Sequence, residues 1–471
     1  MKTLLDPGGD LAEGLKRLRA ELDLSDGFDE SVLAEAREAA GRQPGDHRDR
    51  TDWPFVTLDP ASSTDLDQAF HIEQAGDDLL LHYAIADVGW FVRPGSALDR
   101  EAWRRGVTQY MPGGRVSLYP PALGEAAASL LPDGPRPAVV FSVAVARDGK
   151  TRIEGVERAI IRSRAKLGYE TVRPADLPPL LGEFADRIRA AEQARGAARL
   201  DFPEQELTRG ANGRHALVLK PSLPAEQDNA AMSLATNLAV AQLFMDHHGG
   251  LFRVLAEPDA KAIARLRASA RVRGIAWREH ESLPALERRL DTGTPREAAF
   301  LLEIRKASRG AFYAPWTEGE KPWHAAVAAT YVHGTAPLRR LADRYVVEAA
   351  LALGRTSKWP DGAAETFRAL PPVMAKASQT ANRLDRAVLD LAEAVLLEGR
   401  EGEEFAAVVT EVSERGAYVQ LIDLPVVTRI DSRDLKEADA IRVRLDHADP
   451  ESRETSFSLA SVSQSPATAS A

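Results

Sequence analysis

Residues 53–88, WPFVTLDPASSTDLDQAFHIEQAGDDLLLHYAIADV, constrain the fold more than any other stretch of the chain. WPFVTLD (53–59), QAFHIEQ (68–74) and LLLHYAIADV (79–88) have strand composition, with AGDD (75–78) as the turn between the last two. Between the first two lies a loop that supplies, with the strand end, Asp59, Asp65 and Asp67. Alternation puts Phe55, Thr57 and Asp59 on one strand face, while Asp65 and Asp67 point one way and Leu66 the other. For the three acids to meet, the loop must fold back. Close carboxylates repel, and such a group persists only around something cationic. With no His or Cys nearby, oxygen-only donors suit a hard ion, Mg²⁺ or alternatively Mn²⁺. A solvated acidic turn, in which Asp and Ser bond their own backbone, is the competing reading. Spacing alone leaves both open, although the flanking strands supply a rigid platform for a site.

Beyond this block the period changes twice. PAVVFSVAVARDG (137–149) reads as another strand ending in an Asp-Gly turn. Helical patterns follow at 180–197, 224–246, 258–273, 295–308 and 336–353, and a long one from Val373 to Glu398 after Pro371 and Pro372. FAAVVTEVSERGAYVQLIDLPVVTRID (405–431) and ADAIRVRLDHADPESRETSFSL (438–459) then alternate as the short strands of a five-stranded barrel. At the other end, DLAEGLKRLRAEL (10–22) and ESVLAEAREAAG (30–41) form a small helical module, compatible with plain packing or with a helix-turn-helix.

The chain has 471 residues, a 44% hydrophobic share and a 28% charged share, as expected of a soluble globular protein of about three domains. It lacks cysteine, which excludes disulfides, thiolate zinc sites and a cysteine nucleophile, and fits a reducing cytoplasm. MKTLLDPGGD is too polar for a secretory signal. AAMSLATNLAVAQLFM (230–245) is too short and too polar for a bilayer span and reads as a buried helix, so no membrane role is expected. The net charge of −10 argues against a broad basic face for nucleic acid, but not against a narrow basic channel. Walker A, H-E-x-x-H and Gly-x-Ser-x-Gly patterns are missing.

A metal-carboxylate site suggests phosphoryl chemistry, which wants a cation opposite the metal. GTAPLRRLAD (334–343) offers one: a helix beginning at Thr335 or Ala336 would place Arg339 in its first turn, beside free amides. The competing role for Arg339 is a pair with Asp343, four residues on.

These blocks together resemble the RNB domain of ribonuclease II-type exoribonucleases. FVTLDPASSTDLDQA (55–69) is similar to F-V-T-I-D-x5-D-x-D-D-A, HRDRTDWP (47–54) to the family's lead-in, and YVHGTAPLRRLAD (331–343) to its Tyr-x-His-x-Thr-Ser-Pro-Ile-Arg-Arg-Tyr-x-Asp block. The terminal barrel resembles the family's S-one type RNA-binding OB fold. The expected architecture is α+β: a helical module (1–46), a mixed-sheet and helix RNB catalytic domain (47–398), a five-stranded OB-type β-barrel (399–462) and a disordered tail (463–471). The resemblance implies a Mg²⁺-dependent, processive 3′→5′ exoribonuclease that releases 5′-nucleoside monophosphates from the 3′ end of single-stranded RNA. It implies metal binding by Asp59, Asp65 and Asp67, with Asp67 closest to catalysis, and a phosphate contact by Arg339. Tyr169 and Phe202 match an aromatic pair that clamps the terminal base, and Tyr110 an aromatic that sets product length. Arg253 and Arg340 are expected as supporting RNA contacts.

Departures accompany the matches. Gln68 stands where the family usually has a fourth Asp; its carboxamide oxygen is a weaker metal ligand. Ala230 and Ala231 replace a Glu pair, with Asp228 as a substitute on the same face, and Asn382 replaces a ribose-contacting Glu. About fifty helical residues stand where relatives carry two cold-shock barrels, so a different RNA entrance is expected. These departures motivate the alternative of a degenerate RNB-type protein that binds RNA without cutting it. A cytoplasmic monomer with no obligate protein partner is expected.

Overall fold

The strand Asp78–Ala86 is apolar on both faces, and in a sheet such a strand belongs in the middle, covered above and below. The computed structural model puts it there. It describes residues 6, 9, 11–25, 27–198, 204–209, 215–220, 222–291, 294–307, 310–413, 416–422, 424, 426–432, 434–436 and 439–462. Phe202 and the tail 463–471 lie outside them. The five-stranded sheet runs Arg48–Arg50, Thr151–Ile161, Arg136–Val145, Asp78–Ala86, Gln68–Ala75; the first pair is parallel and the rest antiparallel. Register sets Gln68 opposite Ile85 and Phe70 opposite Tyr83. The hairpin turns through Gly76 at φ +64°, a conformation that glycine adopts without strain.

Helices cover this sheet. Pro224–Asp246 and Leu341–Thr356 both pack on the strand Thr151–Ile161. At the second crossing a Cβ on Gly354 would stand 3.0 Å from that of Val156, so the missing side chain permits the close approach. The main core draws on both layers, from Phe55, Tyr83 and Phe141 to Met232, Phe244 and Val346.

Two expectations of helix limits need correction. The segment preceding Asp343 begins its helix at Leu341, not at 335–336, because its backbone is already engaged: Thr108 N donates to Arg339 O, Leu341 N donates to Gly106 O, and Val107 bridges Arg340. The long helix starts at Ala363 and runs through both prolines to Leu397. Phe367, Leu370 and Met374 continue one buried stripe across the break, and that burial outweighs the amide donors lost at Pro371 and Pro372. The Val373 start took those prolines for a boundary.

The second half of the same helix enters a different core. Leu384, Val388, Leu391 and Leu396 pack with Leu11, Leu15 and Leu18 of the first helix, Ala12–Glu21 and its lead-in, and with the barrel interior, Val409, Val419, Val443 and Leu445. The second helix, Glu30–Ala40, buries Val32, Ala36 and Ala39 in the main core instead. The two helices thus serve different cores. The barrel order is Val427–Ile430, Gly416–Leu421, Glu404–Ser413, Ala440–Asp449, Glu454–Val462, antiparallel throughout. Among the described residues no helix is long and apolar enough to cross a membrane.

Candidate active site

The aspartate loop folds back, as a meeting of the three acids requires, and each stage of the return is held. Thr57–Asp59 pairs in parallel with Lys166–Gly168, and Tyr169 N donates to Asp59 O at 3.0 Å. Lys166 Nζ donates to Ala61 O at 2.8 Å and to Ser63 O at 2.5 Å. Ser129 Oγ donates to Thr64 O and accepts from Leu66 N, while Leu66 is fully buried. That plug leaves Asp65 and Asp67 on the opposite side, within electrostatic reach of Asp59.

Asp67 is nearly inaccessible and receives two donors from one segment: Leu338 N at 2.7 Å on Oδ1 and Arg339 Nε at 2.9 Å on Oδ2. The Arg339 side chain remains 42% exposed, so its guanidinium can also meet a ligand. Asp65 accepts from Tyr110 Oη at 3.0 Å and pairs with Arg115, which also meets Glu125 at 2.9 Å. Tyr110 and Arg115 face each other across the hairpin Gln109–Met111 and Gly114–Val116. Asp59 differs: its Oδ2 is buried with no hydrogen-bond partner. Burial, with Asp67 and Asp65 adding to it against Arg339, pushes the Asp59 carboxyl up to about 7. Asp67 is pushed up to about 7 as well, first by burial and then by Asp65, while Arg339 and the Leu338 amide oppose the shift.

Oxygen-only donors, an orphaned buried oxygen and carboxyls held above their ordinary range fit a hard divalent cation. They do not form a finished cage, since among the described residues no three acidic or histidine side chains stand in ion-holding geometry. Asp65 is committed to Arg115. An ion there would compete with that arginine for Asp65 or share it.

The other site residues divide. Tyr169 Oη accepts from Asn229 Nδ2 at 2.7 Å, which fixes its ring next to Asp59. Gln68 is buried, and its amide nitrogen donates to Thr335 O, so the side chain ties two segments together where a metal ligand was expected. Arg340, read as an RNA contact, is given over to Asp343 (3.0 and 2.6 Å), and the pair with Asp343 considered for Arg339 belongs to Arg340. Arg253 lies over the Tyr313 ring at 4.7 Å, beside Arg340 and Asp343. Asp228 pairs with Arg189 at 2.8 Å. Asn382 is exposed on the long helix. Sequence reasoning missed Arg115 and Tyr83. A Pro-Gly-Gly turn after Met111 could have revealed Arg115 as the cross-strand neighbour of Tyr110. Tyr83, whose buried Oη has no partner, carried no signal in a strand of apolar residues. Burial, with Tyr169 and Asp59 close by, raises its phenol well above the ordinary range.

The RNB domain family model matches residues 47–352 of the chain. This chain belongs to the RNB family. Behind the RNB domain, residues 403–460 match the RNase II-type exonuclease C-terminal S1 domain. Ribonuclease R of Thermotoga maritima is 28% identical over 428 residues, covering 84% of this chain and 59% of the relative. Exoribonuclease 2 of Klebsiella pneumoniae is 27% identical over 405 residues, covering 80% and 61%. The chain thus spans about three-fifths of the length of these curated relatives. Among solved structures, Mycoplasma genitalium RNase R in complex with ribose methylated single-stranded RNA superposes with a TM-score of 0.81 at 19% identity, covering 96% of this chain and 78% of that one. Yeast Ssd1, described as a pseudonuclease, superposes at 0.60 with 18% identity, covering 85% and 52%. RNB-family exoribonucleases are in general metal-dependent, which agrees with the charge balance around Asp59.

Proposed function

We propose that this chain is a hydrolytic exoribonuclease acting on the 3′ end of single-stranded RNA, processively, with Mg²⁺ as its ion and 5′-nucleoside monophosphates as its products. The observation that carries the reading is the meeting of Arg339 with Asp67, beside Asp59 and Asp65, across 272 positions of sequence. Asp59, Asp65 and Asp67 are the residues that would hold the ion, which when bound supplies positive charge for phosphate oxygens and lowers the pKa of water. Arg339, whose side chain is partly exposed, presents its guanidinium to the scissile phosphate while Asp67 fixes its Nε edge. Asp67, held from behind by Leu338 N, keeps one orientation as charge develops. Tyr169, clamped by Asn229, offers a ring on which any base can stack, as sequence-independent degradation needs.

Incubating 3′-tailed single-stranded RNA with the protein, with Mg²⁺ and with EDTA, tests the proposal. Metal-dependent release of mononucleotides is expected; its absence under saturating Mg²⁺ and Mn²⁺ rejects it. A second reading, an RNA-binding protein of RNB fold that does not cut, is favoured by Gln68 in place of a carboxylate and by the commitment of Asp65 to Arg115. RNA held intact at saturating ion would establish it. A cytoplasmic location and a monomeric state are part of the proposal.

A further inference from the structure

Gln68 follows Asp67 directly, and the two side chains reach the same segment at different points. Asp67 takes Leu338 N and the Arg339 guanidinium, whereas the Gln68 amide donates to the carbonyl of Thr335. Both partners of that last bond are buried. Around it, the Thr335 hydroxyl meets Ser233 Oγ at 2.6 Å, Gly334 N donates to Asn237 Oδ1 at 2.8 Å, and Ala336 N donates to Asp343 Oδ2 at 2.9 Å. The run from Gly334 to Arg339 is thereby pinned to the helix Pro224–Asp246 on one side and to the aspartate loop on the other.

A carbonyl oxygen accepts and cannot donate, so residue 68 can bond it only as a donor. A carboxylate there would set two acceptors against each other in a buried place, with repulsion added to lost hydrogen bonding. From this we infer that Gln68 is a positioning residue: its amide sets the Thr335–Arg339 segment against Asp67, and it takes no part in holding the ion. The fourth position is then a tether, and the acidic set is complete with Asp59, Asp65 and Asp67. This rests on the exoribonuclease reading of the same site.

Two nearly isosteric variants separate the tether from a weakened metal ligand. Gln68→Met removes the donor without adding charge; Gln68→Glu, assayed at a pH where it is ionised, removes the donor and supplies the carboxylate. Both are expected to lower kcat about 10–100-fold through displacement of Arg339, with KM for single-stranded RNA changed no more than about twofold. Glu should do no better than Met, the Mg²⁺ half-saturation should not improve, and amide hydrogen exchange across 334–340 should quicken in both. A Gln68→Glu protein as active as wild type or more so, or one with tighter Mg²⁺ dependence, overturns the inference. If the wild-type protein shows no metal-dependent hydrolysis, the exoribonuclease reading fails instead. Exchange across 334–340 then decides the tether by itself, unchanged exchange in both variants rejecting it.

Discussion

Arg339 and Arg340 are neighbours in sequence with opposite surroundings. Arg340 closes on a single, fully buried carboxylate, Asp343, whose oxygens also take Ala336 N; charge and hydrogen bonding are balanced there. Arg339 faces Asp67 with two more acids in reach, one of them carrying a buried oxygen that nothing satisfies. The balanced pair fixes the backbone. The unbalanced group is where an ion and a phosphate have work to do, and strongly shifted acids gather at such places.

Four experiments test this contrast. The largest effect is expected from Asp67→Asn, which should lower kcat by about 10³-fold or more while leaving RNA binding within a few-fold, as charge stabilisation is lost but fold and stacking are kept. Nucleotide release and fluorescence anisotropy read the two parts; a loss confined to binding would contradict it. Asp343→Ala should behave oppositely, destabilising the protein by about 3–5 kcal/mol through the uncompensated Arg340, as measured by urea denaturation. A stability change under about 1 kcal/mol would show that the Arg340 pair is not balanced in the sense argued.

The third experiment concerns pH. Asp59 and Asp67 are raised to about 7 from an ordinary value near 4, so the folded, ion-free protein binds protons more tightly than the unfolded chain. Stability should therefore be greatest below pH 4 as far as these groups are concerned. It should fall by several kcal/mol as pH rises to about 7, and level off above. Mg²⁺ should offset that loss, giving a thermal shift that grows from pH 5 to pH 8; a shift independent of pH would sink the assignment. The smallest effect belongs to Tyr83→Phe. Removing a hydroxyl that has no partner should leave stability unchanged or raise it by up to about 1 kcal/mol, and a clear loss would mean the hydroxyl is satisfied.

Strand positions and the acidic loop were legible because both rest on local pattern, alternation and turn chemistry. The convergence of the aspartates with Arg339 was legible only as a chemical requirement, a cation opposite the acids, and through the resemblance, since nothing local joins residues 59–67 to 339. Tertiary contacts decided the rest. The start of the Leu341–Thr356 helix was fixed by residues 106–108, which hold the preceding backbone extended. The two prolines in the long helix looked like a boundary because propensity is read without the burial of Phe367, Leu370 and Met374. Gln68 looked like a weakened ligand because its partner, Thr335, is remote in sequence.

The long helix Ala363–Leu397 has a consequence for how the molecule is assembled. Its second half shares one hydrophobic cluster with Leu11, Leu15 and Leu18 and with the barrel, segments separated by most of the chain. Contacts of such long range form late, after the intervening chain has closed a large loop. The helix that carries Leu15 and Leu18 is made well before the barrel strands that it packs against, and in the interval three leucines lack that cover. Until segments so far apart in sequence meet, the shared core leaves apolar surface uncovered, and such surface favours aggregation of a partly folded chain.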